Sequence, residues 1–500
     1  MVQDVTTTLN TANLDSLPDR VQIPHYPRAS LSRGIVHIGV GNFHRAHMAH
    51  YMDRLFSRGS SMDWAIVGAG VHPSDRLMRD RLQLQDWLTT VVDLDPNSYS
   101  ARVTGSMIDF VPTDVSSLLD ALLDPAIRLV SLTITEGGYF LDNATGAPDL
   151  HSAALVADAA APGTPRTVFG VIVAALARRR EAGIPSFSVL SCDNLPGNGD
   201  LTRELVVGLA TRIDPDLAGW IEGNTAFPNS MVDCITPATS DKERALVREK
   251  YGIDDLAPVV CEPFRQWVVE DRFCAGRPSL EEVGVEFVPD VHPYELMKLR
   301  VLNAGHAAIA YAGALLGHHF VHDAMGDEDI RRWLQDLQSR ESIPTLQPLT
   351  GVDYGAYLNA IIDRFSNPLI GDTIQRLAID GSDRQPKFIL PTVRAALNSD
   401  TPIDGLALEV ALWCRYCGGR DESGRPIDVR DRRAGELQRL ALKAIDRPVE
   451  FIENAAVFGD LSRSERFAGA FDRWFRLLTA HGVRSTLRSY SAGQDASPSN

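Results

Sequence analysis

The feature that most constrains the fold is a glycine turn at residues 39–41, directly after a short apolar run. Residues 34–38, Gly-Ile-Val-His-Ile, predict a buried strand because β-branched residues continue straight into the glycines. Glycines at a strand-to-helix turn let the backbone approach a pyrophosphate, whose charge the next helix N-terminus stabilises. The full fingerprint has a third glycine where this chain has His44, so a plain tight turn is the alternative. The position after a strand favours dinucleotide binding. The candidate cofactor-binding residues of the turn are Gly39, Gly41, Asn42 and Phe43.

Strands and helices alternate in the first part of the chain. Apolar runs at residues 64–68, 127–133 and 186–192 also predict strands, and residues 167–181 predict a helix. This alternation indicates a parallel sheet with crossover connections. From about residue 290 onwards, long helical patterns dominate instead.

The sequence therefore predicts an α/β protein whose N-terminal domain is of the Rossmann type and whose C-terminal domain is mainly α-helical. The predicted limits are a polar N-terminal arm at residues 1–30, a cofactor-binding domain at 31–286 and a helical substrate and catalytic domain at 287–500.

Composition excludes several classes of protein. The 500 residues include 49 Lys and Arg against 65 Asp and Glu, a net charge of −16, which argues against a nucleic-acid-binding surface. No apolar run reaches about 18 residues, and the first residues lack the basic and apolar stretches of a signal peptide. Six cysteines are too few for a disulfide framework in a chain of this length. We expect a cytoplasmic protein without membrane or nucleic-acid partners.

Asp75 is the candidate for cofactor selection. It follows the second predicted strand, where a carboxylate that holds the adenine-ribose hydroxyls usually lies. A carboxylate there favours NAD because it repels the 2′-phosphate of NADP. The adjacent Arg76 leaves NADP as an alternative cofactor. An ordinary surface turn is the alternative.

Four polar residues share one side of a predicted helix that starts near residue 294. At about 100° per residue, Lys298, Glu295, His306 and Asn303 fall at about 0°, 60°, 80° and 140°. Leu299 and Leu302 lie within the same arc, which indicates that this face is partly buried. A partly buried lysine loses solvation and becomes a better general base, and Asn303 and His306 suit a developing alkoxide or carbonyl oxygen. A solvated surface helix is the alternative, and the helix pattern alone favours it.

Other polar residues give weaker signals. Asn194 follows the fourth predicted strand, Asp233 lies in an apolar stretch, and Arg376 and Arg384 bracket a polar loop. His318 and His322 have i, i+4 spacing without the glutamate of a zinc-binding helix, so we predict no metal site. The Cys414 and Cys417 pair likewise indicates two packed thiols on a helix.

Taken in order, several of these stretches resemble the long-chain polyol dehydrogenase family. The similarity extends from about residue 30 to about residue 485. The matching stretches are Gly39–His47, Thr133–Tyr139, Ser191–Pro196, Phe227–Asp233, Cys261–Phe264 and Lys298–His306.

The resemblance implies a metal-independent, NAD-linked interconversion of a polyol and a ketose, in a cleft between the two domains. It makes Lys298 the general base, and it assigns the polarisation of the reacting oxygen to Asn194 and Asn303. His306 orients the substrate, and Glu295 is linked to proton exchange with solvent. The positions that contact substrate hydroxyls are Asp233, Arg376 and Arg384.

The implied substrate is D-mannitol, oxidised to D-fructose, or D-arabinitol or sorbitol. Two positions depart from the family pattern. Ser74 stands where the family pattern has an acidic residue before Asp75, which bears on the choice between NAD and NADP. Arg384 stands where it has a lysine, which bears on the preferred substrate. A hexuronate reductase that acts on fructuronate or tagaturonate is the first alternative, because arginines could hold a carboxylate. A non-catalytic NAD-binding protein is the second alternative. The family is often monomeric, and we expect a monomer here.

Overall fold

The computed structural model describes residues 6–142 and 146–493, which form two compact units. One unit extends to His292 and the other begins at Pro293. All fourteen strands of the described residues lie in the first unit. Among the described residues, every helix is too short or too polar to cross a membrane.

The strands are β1 Thr7–Thr8, β2 Val21–Gln22, β3 Arg33–Ile38, β4 Ala65–Ala69, β5 Thr89–Leu94, β6 Tyr99–Thr104, β7 Met107–Phe110, β8 Leu129–Leu132, β9 Ser188–Ser191, β10 Ser230–Asp233, β11 Ile253–Asp254, β12 Val259–Cys261, β13 Gln266–Glu270 and β14 Glu286–Val288.

The helices of the first unit are α1 Asn42–Ala46, α2 Met48–Ser57, α3 Pro73–Gln83, α4 Val115–Leu122, α5 Ala153–Ala160, α6 Val168–Ala182, α7 Asn198–Ile213, α8 Pro215–Asn224 and α9 Asp241–Tyr251. The later helices are α10 His292–Met297, α11 Ala304–Leu315, α12 Val321–Gly326, α13 Glu328–Leu337, α14 Tyr354–Phe365, α15 Ile374–Ala378, α16 Gly381–Arg384, α17 Leu390–Asn398, α18 Asp404–Cys417, α19 Ala434–Lys443, α20 Val449–Ile452, α21 Ala455–Phe458 and α22 Glu465–Ser491.

A five-stranded parallel sheet forms the centre of the first unit, in the order β7-β4-β3-β8-β9. The chain winds outward from β3 through β4 to β7, and then returns to build β8 and β9 on the other side. Strand order therefore reverses between β3 and β8, which is where open α/β sheets bind ligands. The four strands that the sequence predicted all belong to this sheet. The prediction of a Rossmann-type first domain and a mainly helical second domain is confirmed.

Smaller sheets, which the sequence analysis did not predict, surround the central one. Their orders are β12-β5-β6-β2, β10-β13-β14 and β1-β11. The N-terminal segment, expected as a polar arm, supplies β1 and β2 and buries Leu9, Leu14 and Leu17. At the other end of the unit, β14 pairs with β13, so the chain stays with the first unit through Val288.

The second unit is helical, and three of its segments are π-helical, with i→i+5 hydrogen bonds. They are Lys298–Asn303, Gln338–Ser342 and Gln385–Ile389. The first of them contacts both of the others. Helix α18 is almost entirely buried and packs against α11 and α22, and its Cys414 and Cys417 are buried free thiols.

Helix α18 has no capping side chain of its own, and Glu341 takes that role from a π-helical segment. Its carboxylate accepts from the backbone N–H groups of Gly405 and Leu406, at 2.6 and 2.8 Å, and from the Tyr490 hydroxyl at 2.9 Å. Burial raises the pKa of Glu341 to about 7, and the three hydrogen bonds oppose that shift. One side chain thus joins the Gln338–Ser342 segment to the beginning of α18 and the end of α22.

Replacing this carboxylate should destabilise the second unit. Glu341→Ala leaves three buried donors without an acceptor, so we expect a loss of about 2–4 kcal/mol in the free energy of unfolding. Tyr490→Phe removes one of these bonds and should cost about 1 kcal/mol. Denaturant unfolding of both variants measures the difference, and equal losses would contradict this account of the cap.

Candidate functional site

The five strands of the central sheet are parallel, so their carboxyl ends lie at one edge, and four of the segments that leave it there carry candidate residues or contact them. They follow β3, β4, β8 and β9 and begin with Gly39, Gly70, Thr133 and Cys192. Most of the polar residues that the sequence singled out in this unit lie on these segments. The reversal of strand order between β3 and β8 lies at the same edge.

Gly39 and Gly41 have different roles in the turn after β3. Gly39 has a φ of +98°, and a Cβ there would lie 2.2 Å from the Thr133 carbonyl oxygen. Gly41 adopts an extended conformation that any residue can adopt, and the atom nearest to a Cβ at this position would be 3.9 Å away. Gly39 is therefore required by the fold, whereas Gly41 keeps the space in front of the turn open.

His44, which replaces the third glycine of the fingerprint, lies beneath the turn. Its ring stacks on that of His37, with centroids 3.5 Å apart and planes 11° apart, and both side chains are fully buried. Burial lowers the pKa of both imidazoles, so both are neutral. The third glycine normally permits close packing of helix on strand. Here, two flat rings in parallel contact allow the close packing instead.

A network of hydrogen bonds stabilises the same turn. The Thr133 hydroxyl donates to the Gly39 carbonyl oxygen at 2.6 Å, and His37 Nε2 lies 3.0 Å from that hydroxyl. His37 Nδ1 lies 2.8 Å from the Ser131 hydroxyl. The network joins β3 to β8 at the reversal of strand order. Sequence analysis missed it, because isolated serine and threonine residues in a strand give no signal.

Asn42 and Arg45 of α1 line a pocket of about 460 Å³ beside the turn. Arg81 and Arg244 also line it, and Met78 contributes to an apolar wall. An open glycine turn beside a cationic pocket fits a dinucleotide, whose pyrophosphate is anionic and whose adenosine is largely apolar.

The side chains of Asn42 and Phe43 are both held by contacts within the protein. The Asn42 amide donates to the Pro237 carbonyl oxygen and to the Thr239 hydroxyl, and the Phe43 ring stacks on His47. These contacts fix the beginning of α1 against the segment after β10. The prediction that both residues contact the cofactor stays a prediction.

Asp75 lies at the beginning of α3, after β4. Its carboxylate accepts from the His72 backbone N–H at 2.9 Å and packs so closely on Gly70 that a Cβ there would lie 2.3 Å from the Asp75 Cβ. The prediction that Asp75 holds ribose hydroxyls stays a prediction. The neighbouring Arg76 is exposed and lies 3.9 Å from Asp80.

Asn194 is exposed at the end of β9, next to a buried carboxylate, Asp193. The Asp193 carboxylate accepts from the backbone N–H groups of Ile134 and Thr135, at 3.0 and 2.8 Å, and from the Tyr139 hydroxyl at 2.8 Å. Thr135 has a φ of +65°, a strained conformation for a β-branched residue, and Asp193 stabilises it. Asp193 thus joins the segment after β8 to the one that carries Asn194. Asp233 is buried at the end of β10, in the adjoining sheet.

In the second unit, the predicted catalytic residues lie on one helix, which a π-helical segment interrupts at Lys298–Asn303. Glu295 and Lys298 are buried, with 6% and 9% of their surface exposed, so the solvated-helix alternative is wrong. A π turn accommodates one extra residue and rotates the residues after it back by about 100°. Asn303 and His306 then lie at about 40° and −20° from Lys298, instead of 140° and 80°. The three side chains share a narrower face than a regular helix would allow.

His306 lies among arginines. Its ring stacks on Phe365, with centroids 4.1 Å apart. Burial lowers the pKa of His306, and the nearby charges of Arg376, Arg364 and Arg384 lower it further, so the imidazole is neutral. The structure thus brings the predicted Arg376 and Arg384 close to His306. It adds the buried Arg364, which the sequence analysis missed because a single arginine in an apolar helix resembles a solvent-facing one.

The two predicted arginines are held differently. Arg376 forms a two-pronged ion pair with Asp372, from Nε and Nη2, and the bond from Nε is 2.5 Å long. Arg384 donates from Nη1 to the Leu377 carbonyl oxygen at 3.0 Å. Arg376 therefore has a neutralising carboxylate, whereas the bond of Arg384 is to a neutral oxygen.

Two family models cover most of the chain. Residues 33–282 match the mannitol dehydrogenase Rossmann domain, and residues 290–477 match the mannitol dehydrogenase C-terminal domain. The chain belongs to the mannitol dehydrogenase family. This result confirms the resemblance to polyol dehydrogenases.

Relatives in this family match nearly the full chain. Mannitol 2-dehydrogenase of Cereibacter sphaeroides is 50% identical over 471 residues, which are 94% of this chain and 98% of the relative. Mannitol 2-dehydrogenase of Phaeosphaeria nodorum is 40% identical, covering 98% of this chain and 87% of the relative. The solved structure of Pseudomonas fluorescens mannitol 2-dehydrogenase, a ternary complex with NAD and D-mannitol, matches with a TM-score of 0.84 and 42% identity. That match covers 98% of this chain and 100% of the other. A D-sorbitol dehydrogenase in substrate-free form matches with a TM-score of 0.90 and 38% identity, over 96% of this chain and 100% of the other.

Among the described residues, no group of three or more His, Cys, Asp or Glu side chains is arranged to hold a metal ion. The i, i+4 histidines interact with different aspartates: His318 lies 3.2 Å from Asp327, and His322 lies 3.5 Å from Asp323. The absence of a metal site in this member of the mannitol dehydrogenase family stays a prediction.

The two glycines of the turn should respond differently to a single methyl group. Gly41→Ala leaves the backbone unstrained but puts a methyl group where the pyrophosphate would approach, so we expect an unchanged Tm and a roughly tenfold or larger rise in the Kd for NAD. Gly39→Ala, the matched control, should lower the Tm, because it combines a positive φ with a clash. Fluorescence titration and thermal unfolding separate the two effects. Normal NAD affinity in a stable Gly41→Ala variant would contradict the assignment.

Proposed function

We propose that this chain catalyses the NAD-linked oxidation of D-mannitol to D-fructose, and the reverse reduction, without a metal ion. The observation that carries the proposal is the alignment of Lys298, Asn303 and His306 on one face of a π-interrupted helix, in a member of the mannitol dehydrogenase family. The named relatives and the mannitol complex of the Pseudomonas enzyme support this substrate.

Lys298 is the proposed general base. It takes the hydroxyl proton of the polyol while the carbinol C–H bond breaks and the C–O bond becomes a carbonyl. The turn at Gly39–Gly41 would hold NAD, and the nicotinamide would supply the acceptor for the hydride that leaves the carbinol carbon. Lys298 is buried, with 9% of its surface exposed, and its uncharged amine is the form that can accept the proton. Glu295, one helical turn before Lys298, is the proposed route by which that proton exchanges with solvent.

Amide and imidazole donors stabilise the reacting oxygen in this proposal. Asn303 and Asn194 donate N–H groups to the oxygen as negative charge develops on it. His306 is neutral, so it can donate from one ring nitrogen without adding a positive charge beside Lys298. The residues proposed to contact the other hydroxyl groups of the substrate are Asp233, Arg376 and Arg384.

One observation favours a second candidate, a hexuronate reductase. Three guanidinium groups, Arg364, Arg376 and Arg384, lie near His306, and arginines are well suited to a carboxylate. Arg376 is already paired with Asp372, which reduces the positive charge available for an anionic substrate. We therefore rank the neutral polyol first. The proposal also retains the predictions that the chain is monomeric and cytoplasmic.

A substrate panel tests the reaction. We expect NADH formation with D-mannitol, and slower formation with D-arabinitol or sorbitol, whereas mannonate should give little or none. NADP in place of NAD should lower kcat/KM, because Asp75 would repel a 2′-phosphate. Turnover of mannonate alone would indicate that the chain is a hexuronate reductase. An inactive protein that still binds NAD would support a non-catalytic role.

Removal of the base should affect kcat rather than cofactor binding. Lys298→Ala is expected to lower kcat by about 10²–10⁴-fold while the Kd for NAD stays unchanged. A small primary amine added to the assay should restore part of the rate, because it can occupy the space left by the side chain. Lys443→Ala, which removes an exposed lysine of α19, is the control. Near-normal turnover of Lys298→Ala would exclude this mechanism.

A further inference from the structure

Glu409 is an unusual buried carboxyl in the middle of α18. None of its surface is exposed, and its Oε1 accepts one hydrogen bond, from Gln385 Nε2 at 2.8 Å. Its Oε2 has no hydrogen-bond partner among the described residues. Buried polar groups are normally satisfied, so a carboxyl that depends on one partner requires an explanation. The mechanism proposed above does not use it.

Gln385 connects this carboxyl to the segment that carries Arg384. It follows Arg384 directly, is fully buried and begins the π-helical segment Gln385–Ile389. The preceding helix, α16, is one turn long and cannot be stable through its own hydrogen bonds. Contacts with other elements must therefore hold Arg384 in place.

Those contacts lie at both ends of α16. At its beginning, the Ser382 N–H and hydroxyl both donate to Asp431, at 2.8 and 2.7 Å. Gly381 packs tightly there, since a Cβ would lie 2.5 Å from Trp413 Nε1 and 2.8 Å from the Tyr311 hydroxyl. At the other end, the Gln385–Glu409 bond joins the chain to α18.

We propose that Glu409 is a positioning residue that acts through Gln385 to hold Arg384 beside His306, and so determines how tightly the polyol binds. This inference rests on the proposed function, in which Arg384 contacts the substrate hydroxyls. It gives the buried carboxyl a role at a distance from the reacting atoms. It also explains why Gln385, which is bonded to Glu409, directly follows Arg384, the residue proposed to bind the substrate.

The protonation state of Glu409 predicts a specific dependence of the KM on pH. Burial raises the pKa of Glu409 to about 8, and the bond from Gln385 opposes that shift. Tyr311 is the titratable group that faces Glu409 from α11, and burial and Glu409 raise the pKa of its hydroxyl, so it stays neutral. Arg384 is the nearby cation and interacts with Tyr311. Glu409 is therefore protonated at neutral pH, and its ionisation above about pH 8 strengthens the bond from Gln385, because a carboxylate is the better acceptor.

Three variants test the proposal by steady-state kinetics with D-mannitol and NAD. Glu409→Leu and Gln385→Met each break the bond, and each should raise the KM for mannitol about tenfold while kcat changes less than about threefold. The Kd for NAD should not change. Glu409→Gln preserves a neutral acceptor, so its KM at pH 7 should match the wild type. Because ionisation of Glu409 strengthens this bond, the wild-type KM relative to that of Glu409→Gln should fall above about pH 8.

The control is Glu341→Ala, which removes another buried carboxyl but one that caps α18. It should lower the Tm without raising the KM. If the wild type oxidises no polyol, the proposed function fails. If the wild type is active but Gln385→Met and Glu409→Leu keep a normal KM, this inference fails alone. Should Glu409→Leu not fold, Gln385→Met and the pH profile of Glu409→Gln decide the question.

Discussion

Parallel pairing of β3 with both β4 and β8 is the constraint on which the rest of the first unit depends. It brings the ends of neighbouring strands to one edge, so the chain must turn there several times within a small space. Gly39 allows the turn after β3, because it adopts a positive φ and its backbone lies against Thr133. The hydroxyl of Thr133 then binds the carbonyl of Gly39, and His37 supports that hydroxyl. Gly39 thus makes the close contact with Thr133, and Gly41 keeps open space in front of the turn.

The second unit depends on a different departure from regular structure. An i→i+5 turn at Lys298–Asn303 brings a lysine, an asparagine and a histidine to one face. Such a turn loses regular hydrogen bonds, and packing must compensate for that loss. The two other π-helical segments contact this one, so irregular turns lie together where the proposed chemistry occurs. Each of those segments also carries a buried polar anchor, Glu341 in one and Gln385 in the other.

The sequence was sufficient to predict the features that follow from simple periodicity. Apolar runs that ended in glycine predicted β3, and the alternation of strands with helices predicted the parallel sheet. Periodicity did not predict the π turn, because the spacing of apolar residues assumes a regular helix and the extra residue is stabilised by tertiary contacts. It also missed β1 and β2, whose two-residue length is too short for any pattern. Arg364 was missed as a functional candidate, since its burial depends on residues that are distant in the chain.

Buried carboxyls connect the stability of the fold to its proposed activity. Glu341 and Glu409 both have pKa values raised by burial, to about 7 and about 8, so the native state holds protons that the unfolded chain releases above about pH 4.5. Their contribution to the free energy of unfolding is therefore complete in acid and declines as the pH rises towards 7 and 8. Polyol oxidation releases a proton and is favoured by alkaline conditions. The same pH change that drives the proposed reaction towards ketose thus lowers the contribution of both carboxyls to the stability of the helical unit, and one of them, Glu409, is bonded to Gln385 in the segment next to Arg384.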